Sequence, residues 1–354
     1  KFSWWEETLK VLRLTVNGAI NNVATALVVD GEALNAVAGD LFLVEKTTTT
    51  TYDHELVRVS ANPSLDTALT IERGARNSTA AAINDNDTLT KVGNINGEGG
   101  EKRKATTRNP TKHENFLQIF KTSYNLSKSA AATKARTGDP LKNDRKRKMF
   151  DHAVDQEFAY LFGLPWEDTD DEGNPLTSTG GLLKFLSDTR AVDPVMYGHC
   201  ITILNAATFG EDELLDAMHP VFDWNAGGAG NQRIVFAGNG AVNYINKAIK
   251  DSGSTQINYQ GTIKSFGMQL RQLSFPQGDF YFKTHPLLNT HPRYKNGMFV
   301  INPAGIKHRY LTGRDTKFED NIQTPGADRI EGQWIGEEGA EFHHLPTMQY
   351  IEFQ

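Results

Sequence analysis

The feature that most constrains the fold is one long predicted helix that follows an extended segment. Residues 139–163 begin with Asp139 and Pro140, an N-cap followed by a residue suited to the first helical position. Gly163 and Pro165 supply the stop. About 24 residues would form a rod of roughly 36 Å. Helical spacing predicts one packed face, made of Met149, Phe150, Ala153, Val154, Phe158, Leu161 and Phe162. The preceding residues 109–134 predict an extended arm.

Composition excludes several broad classes of protein. The 354 residues predict two or three domains, and a net charge of −6 gives no overall basic footprint for nucleic acid. The single cysteine, Cys200, rules out an intrachain disulfide. No apolar run approaches the roughly 20 residues that span a bilayer. The first residues, KFSWWEETLK, lack the apolar centre of a signal peptide, so we expect a cytoplasmic origin.

The N-terminal third of the chain predicts an arm and a β-rich module. Residues 1–22 read as the arm, in which adjacent Trp4 and Trp5 point in different directions on a helix or a strand. We expect one tryptophan to be buried and the other to meet another chain; the alternative is that both close a local core. Residues 23–110 contain short apolar runs separated by turn residues, which predicts a small barrel or sandwich.

The later residues predict an α/β region without a catalytic set. Residues 196–300 alternate helices and strands, which predicts an α/β pattern with an open sheet, and residues 303–354 are loop-rich and acidic. The GNG at 238–240 is half of a dinucleotide fingerprint, but Asn243 replaces the third glycine. The acidic residues 168–174 lack the spacing of a calcium loop. We predict no catalytic, cofactor-binding or metal-binding residues.

Five cations crowd the first half of the long helix. Cations near a helix N-terminus oppose the macrodipole, at a cost of about 0.3–1 kcal/mol each when exposed. Residues that break such a local preference, with no compensating partner visible in the sequence, often mark a functional surface. We therefore predict that DNA phosphates or the acids of a neighbouring chain compensate them, the alternative being a solvated face with screened charges. The cluster comprises Lys142, Arg145, Lys146, Arg147 and Lys148.

A partner of opposite sign is present in the same sequence. Acids accumulate near the C-terminus, and opposite-sign surfaces on one polypeptide suit repeated head-to-tail contacts between copies. We hypothesise that these acids meet the basic cluster of a neighbour. The candidate acidic surface comprises Asp315, Glu319, Asp320, Asp328 and Glu331.

Four segments, in this order along the chain, resemble a known family. They are TIERGARNSTAAAINDNDTLTKVG (70–93), ENFLQIFKTSYNLSKSA (114–130), TGGLLKFL (179–186) and GRDTKFEDNIQTPGADRIEG (313–332). Together with the long helix, they resemble a tailed-bacteriophage major capsid protein of the Hong Kong 97 type, with a β-rich module inserted in the extended loop. The resemblance covers nearly the whole chain, and it rests on the order and general character of these segments rather than on one diagnostic motif.

The resemblance implies an α+β fold class and a division of the chain into six parts. These are an N-terminal arm (1–22), a β-rich insertion of the extended loop (23–110), the return strand of that loop (111–137), a peripheral domain with the spine helix (138–195), an axial α/β domain (196–299) and C-terminal strands that complete the peripheral domain (300–354).

The resemblance also implies a structural role rather than an enzymatic one. The chain would assemble through hexamers and pentamers into the icosahedral head shell of a phage, around double-stranded DNA that it contacts non-specifically. Its partners would be itself, portal, scaffold and decoration proteins, with no membrane and no cofactor. It would reside in the virion after assembly in the host bacterial cytoplasm. An encapsulin-like compartment is the alternative, and a β-rich binding module fused to an α/β enzyme ranks below it.

Overall fold

The computed structural model describes residues 1–7, 12–45, 54–106, 110–133, 138–192, 194, 196–224, 230–252, 259–265 and 268–354, with the backbone alone at 249–271 where described. The chain forms two compact units. The main unit contains Lys1–Glu6 and Thr111–Gln354, and the β module contains Glu7–Pro110.

The β module follows strand β1 (Phe2–Glu6) of the main unit and is one antiparallel sheet. Its strands are β2 (Arg13–Thr15), β3 (Ala26–Val28), β4 (Asp40–Glu45), β5 (Leu56–Val59), β6 (Ala68–Glu72) and β7 (Thr88–Asn94). They pair in the order β2-β7-β4-β5-β6-β3. A bridge between Val16 and Val29 joins the two edge strands, so the sheet closes as a small barrel. Its interior is apolar, because Phe42, Val57 and Leu89 are fully buried.

The module begins earlier than the sequence pattern predicted. The arm was expected to extend to residue 22, but Leu12, Leu14 and Val16 belong to the barrel core. Leu14 lies on β2, which pairs with β7. The predicted arm therefore divides between the two units, with Phe2–Glu6 in one and the residues from Glu7 in the other.

The main unit is built from five helices and the remaining strands. Its helices are α1 (Lys128–Ala132), α2 (Pro140–Phe162), α3 (Leu182–Val192), α4 (Glu211–Met218) and α5 (Asn239–Ser252). Its further strands are β8 (Thr111–Asn115), β9 (Gln118–Ser127), β10 (Trp166–Thr169), β11 (Pro175–Ser178), β12 (Ile201–Leu204), β13 (Gln232–Ala237), β14 (Tyr259–Ser265), β15 (Met268–Phe275), β16 (Gly278–Thr284), β17 (Gly297–Ile301), β18 (Ile306–Tyr310), β19 (Lys317–Asp320), β20 (Arg329–Phe342) and β21 (Gln349–Phe353).

A seven-stranded mixed sheet forms the α/β part of the main unit. Its order is β12-β21-β17-β13-β16-β15-β14. α4 and α5 contribute Leu214 and Ile245 to the core that the sheet buries. β21 lies in the C-terminal segment, whose strands were expected to complete the peripheral domain. It instead pairs with β12 and β17, so that segment serves two sheets.

A second sheet of four strands supports the long helix. β20 pairs with β9 on one side and with β18 and β19 on the other. α2 packs against β9 and β20. Asp139 caps α2 by accepting hydrogen bonds from the backbone N–H groups of Leu141 and Lys142, at 3.0 and 3.4 Å. The predicted helix, its N-cap and its stop are thus confirmed.

The C-terminal part of the predicted apolar face of α2 packs, since Leu161 and Phe162 lie against the core of the main unit, but its N-terminal part does not. Phe150 and Met149 are 68% and 55% exposed, whereas His152 is buried. The reason is that the sheet beneath α2 carries polar and charged groups that the helix must satisfy. None of the helices described here is long and apolar enough to cross a membrane.

Candidate functional site

The basic cluster and the acidic surface meet within one chain at Arg145. α2 and β9 hold Arg145 and Tyr124 beside Asp320 on β19, and Arg145 forms an ion pair with Asp320. The Tyr124 hydroxyl donates to Asp320 at 3.0 Å and accepts from Arg145 Nε at 3.0 Å. Burial raises the pKa of Asp320, but hydrogen bonds from Arg145 and Tyr124 outweigh it and leave the pKa below its usual value. Arg145 and Asp320 thus compensate each other within one chain, and contact between the basic cluster and the acidic surface of different copies stays a prediction.

The other cations of the cluster divide into two kinds. Lys148 forms an ion pair with Asp151 one turn later on α2, at 3.3 Å. Lys142, Lys146 and Arg147 are exposed and form no ion pair with any residue that the structure describes. Among the described residues, the predicted lack of an ion-pair partner therefore holds for these three cations and not for the whole cluster.

Most of the predicted acidic surface is paired with neighbouring cations of its own chain. Glu319 pairs with Lys317 at 2.9 Å, and Glu331 pairs with Arg329 at 2.7 Å. Asp328 lies 3.6 Å from Lys128. These pairs are solvent-exposed, so each contributes less than about 1 kcal/mol. Asp315 is exposed and has no ion-pair partner within the described part of the chain.

A buried carboxylate under α2 was missed by the sequence analysis. Glu338 on β20 accepts hydrogen bonds from Gln156 and Tyr160 of α2, at 3.0 and 3.2 Å. His308 Nε2 lies 2.9 Å away, and the Thr316 hydroxyl donates to the other oxygen. Burial raises the pKa of Glu338, yet these donors bring it below its usual value.

The same carboxylate belongs to a group whose composition is that of a metal site. Ligand atoms of His308, Asp315 and Glu338 lie within 4.8 Å of one another. Both oxygens of Glu338 already accept hydrogen bonds from protein donors. The arrangement is accounted for as a hydrogen-bond network that fixes α2 on the sheet.

The two arm tryptophans have different environments. Trp4 is 4% exposed, and Trp5 is 59% exposed. Trp4 donates from Nε1 to Glu6 at 2.9 Å and lies near Phe185 in the main core. Trp5 lies beside Lys112, whose Nζ is 5.9 Å from its ring centre. Contact between Trp5 and another chain stays a prediction.

The remaining chemical motifs have structural explanations. A Cβ at Gly238 would lie 2.2 Å from the carbonyl oxygen of Lys295, so the glycine permits a close backbone approach. Gly238 thus lies in a tight turn between β13 and α5. His199 Nε2 lies 2.8 Å from the carbonyl oxygen of Pro346, within hydrogen-bond reach. Burial raises the pKa of Cys200 to about 12, which leaves it a thiol rather than a nucleophilic thiolate.

Comparison with known proteins identifies relatives of the chain. The family model of the SU10 major capsid protein matches residues 2–348. The chain is 27% identical over 263 residues to a protein named "Major capsid protein" from Pseudomonas phage PaMx41. That alignment covers 74% of this chain and 61% of the phage protein, so the chain spans less than two thirds of that relative's length.

Two solved structures show partial similarity. The structure from Mycobacterium phage Patience gives a TM-score of 0.46 at 9% identity, covering 73% of this chain and 77% of that one. The holo-SrpI encapsulin complex from Synechococcus elongatus PCC 7942 gives 0.43 at 9% identity, covering 70% and 76%. The α+β fold class is confirmed by the helices and sheets of the chain itself. With nearly every residue inside the family match, the chain belongs to the SU10 major capsid protein family.

Proposed function

We propose that this chain is the building subunit of a phage head shell. The observation that carries the proposal is the family match, which runs from residue 2 to residue 348 and includes both compact units. A match confined to one unit would have left the role of the other open. The proposed role is structural, and no enzymatic step is assigned to any residue.

The subunit would follow the Hong Kong 97 type of organisation. α2 would be the spine helix of the peripheral domain, on the sheet of β9, β18, β19 and β20. The α/β sheet would form the axial domain that clusters at hexamer and pentamer centres. The β module would belong to the extended loop. The pairing of β9 with β20 supports this division, because it unites segments separated by about two hundred residues in one support for α2.

The proposed shell is icosahedral and encloses double-stranded DNA. The chain's main partner would be further copies of itself, with portal, scaffold and decoration proteins as additional partners. Exposed Lys142, Lys146 and Arg147 could neutralise phosphate or an acidic protein surface, and their unpaired state supports a contact outside the subunit. The site of action would be the virion, after assembly in the host bacterial cytoplasm.

The decisive experiment is imaging of purified particles. We expect size-exclusion chromatography with light scattering to give megadalton particles, and electron microscopy to show a closed shell of hexamers and pentamers. DNA inside virion-derived particles would support the phage-head role. Particles that enclose a protein cargo instead of DNA would support a compartment shell. A stable monomer under all assembly conditions would refute the proposal.

A further inference from the structure

We propose that the β10–β11 hairpin of one subunit docks along the N-terminal half of α2 in a neighbouring copy. The proposal deepens the shell function above and rests on it. Two surfaces of the main unit carry it, because each combines exposed apolar side chains with unpaired charge and the charges have opposite sign. Such complementarity points to a second copy of the same chain as the partner.

The first surface is a stripe on α2, formed by Lys142, Lys146, Met149 and Phe150. At 3.6 residues per turn these four positions lie within about 100° of one another, on one side of the helix. All four side chains are exposed, and both lysines are free of ion pairs among the described residues. Large exposed apolar side chains flanked by charge are typical of protein contact sites. We call these residues the basic stripe.

The second surface is the hairpin of β10 and β11, residues 166–178. It contains five acids and no lysine, arginine or histidine, the acids being Glu167, Asp168, Asp170, Asp171 and Glu172. All five are exposed, and within the described ranges none forms an ion pair. Trp166 and Leu176 are 50% and 48% exposed. We call this segment the acidic hairpin.

The strand register places the apolar and acidic side chains of the hairpin on one face. Trp166 pairs with Ser178 and Asp168 pairs with Leu176. Residues directly opposite each other in a sheet point the same way, and residues two apart on one strand do too. Trp166, Asp168 and Leu176 therefore share a face, with Trp166 at the base and with Leu176 opposite Asp168 nearer the tip.

The basic stripe and the acidic hairpin lie at opposite ends of α2 within one subunit. Lys146 lies 16 residues before Phe162, the last residue of α2, which is roughly 24 Å along the helix axis at 1.5 Å per residue. The hairpin begins beyond that end, at Trp166. Exposed charges at such a separation are screened, since the Debye length at physiological salt is about 8 Å. No ion pair joins the two surfaces among the described residues, so the proposal places the partner in another copy.

The spacings of the two surfaces match. From Phe150 to Lys142 the helix rises about 12 Å. From Trp166 to Asp170 the strand extends about 13 Å. If Trp166 covers Phe150, Asp168 and Leu176 lie level with Lys146, and the acidic tip reaches Lys142 and the helix N-terminus. Acids near the helix N-terminus also interact favourably with the helix macrodipole. Pairing with the lysines and interaction with the macrodipole would therefore both stabilise the docked hairpin.

The hairpin also has little support of its own. β10 and β11 form a separate two-stranded sheet, and all four residues of β10 are exposed. Two-stranded hairpins are marginally stable in water by themselves. Docking on a neighbouring helix would supply the missing face, and it gives a reason for keeping Trp166 in an otherwise acidic loop.

A thiol-crosslinking experiment on the full chain tests the contact. Lys146→Cys with Asp168→Cys should give covalent ladders of subunits within assembled particles when a short bifunctional thiol reagent is added. Asp155→Cys with Asp168→Cys is the matched control, because residue 155 lies on α2 about 180° from residue 146. The native Cys200 is buried and should not react.

The outcomes separate this inference from the shell function. Ladders stronger than those of the control support the docking contact. Particles that form normally but give ladders no stronger than the control overturn it, while the shell function stands. Failure of the wild-type chain to form particles under any assembly condition refutes the shell function and the docking contact together.

A charge exchange gives a second readout. Lys146→Asp alone and Asp168→Lys alone should each lower particle yield by about tenfold, as expected from loss of one close charge pair per interface. The two changes together should restore the yield. Unfolding midpoints of the dissociated subunits should stay unchanged. A double variant as defective as the poorer single variant would contradict the pairing.

Discussion

Two acidic regions of the main unit have similar composition and different surroundings. In the C-terminal strands, Glu338 and Asp320 are held by donors from α2, and their acidic neighbours pair with nearby cations. In the acidic hairpin, the five carboxylates are exposed and without ion pairs among the residues that the structure describes. Most carboxylates of the first region are paired inside the subunit. Those of the acidic hairpin form no ion pair among the described residues, and we propose that another copy neutralises them.

The difference shows that charge count alone does not identify an interface. The sequence pattern selected the C-terminal acids because they are numerous and lie on the same chain as the basic cluster. The structure pairs most of them locally. The region with unsatisfied charge is the one beside exposed apolar side chains, and that combination is the better indicator of a contact between subunits.

The largest effect is expected at the buried carboxylate. Glu338→Ala should lower the free energy of unfolding of the dissociated subunit by about 3 kcal/mol, because four donors lose their acceptor. Urea denaturation followed by circular dichroism measures the change. Glu338→Gln, which keeps one carbonyl acceptor, should cost about half as much. If both variants had the same free energy of unfolding as the wild type, Glu338 would not contribute to holding α2 on the sheet.

A smaller effect is expected from acid pH. Burial raises the pKa of Glu338 and of Glu341, but their hydrogen-bond donors outweigh it and hold each pKa below the ordinary value of 4.5. The resulting stabilisation is present above pH 4.5 and is lost as the pH falls through the lowered values. Urea midpoints should therefore fall below pH 4.5, and Glu341→Gln should flatten that fall. An equally steep fall in the variant would exclude Glu341 as a contributor.

A still smaller effect is expected at the half-exposed ion pair. Asp320→Asn should cost about 1 kcal/mol, because Arg145 and Tyr124 keep an acceptor but lose its charge. Glu319→Gln, on the same strand but paired only with exposed Lys317 and Gln333, should change stability by less than about 0.5 kcal/mol. Equal losses of unfolding free energy in the two variants would mean that Asp320, beside α2, contributes no more to stability than Glu319.

The smallest effect on subunit stability is expected in the acidic hairpin. Asp168→Lys with Asp171→Lys should change the free energy of unfolding by less than about 0.5 kcal/mol, because neither acid has an ion-pair partner to lose among the residues that the structure describes. Particle yield should nevertheless fall, and light scattering at low and high salt measures it. A destabilisation as large as that of Asp320→Asn would remove the distinction between the two regions.

Local signals in the sequence predicted the limits of α2 but not its orientation. Asp139, Pro140 and Gly163 act within a few residues, so their effect is readable from the chain alone. The packed face depends on Glu338 and Asp320, which lie more than 150 residues later. An apolar stripe was therefore the natural prediction, and partners distant in sequence explain why Met149 and Phe150 in its N-terminal part are exposed.

In the β module, too, local signals were readable from the sequence, whereas long-range strand pairing was not. Its strands were predicted from alternating apolar residues and turns, and β4 to β7 lie where those runs occur. Its start was misplaced because β2 has only three residues, and its partner β7 lies more than seventy residues later. The acidic hairpin was read as a solvated loop, since its unpaired state becomes visible only when the positions of the cations are known.

The pairing of β1 with β8 has a consequence for the evolution of the chain. Glu6 and Thr111 are register partners in that ladder, so the residues that flank the β module lie side by side in the main unit. A turn of two residues can bridge two such strands. The barrel thus occupies the position of a hairpin loop, and an ancestor could gain, exchange or lose it there without repacking the unit from which it emerges.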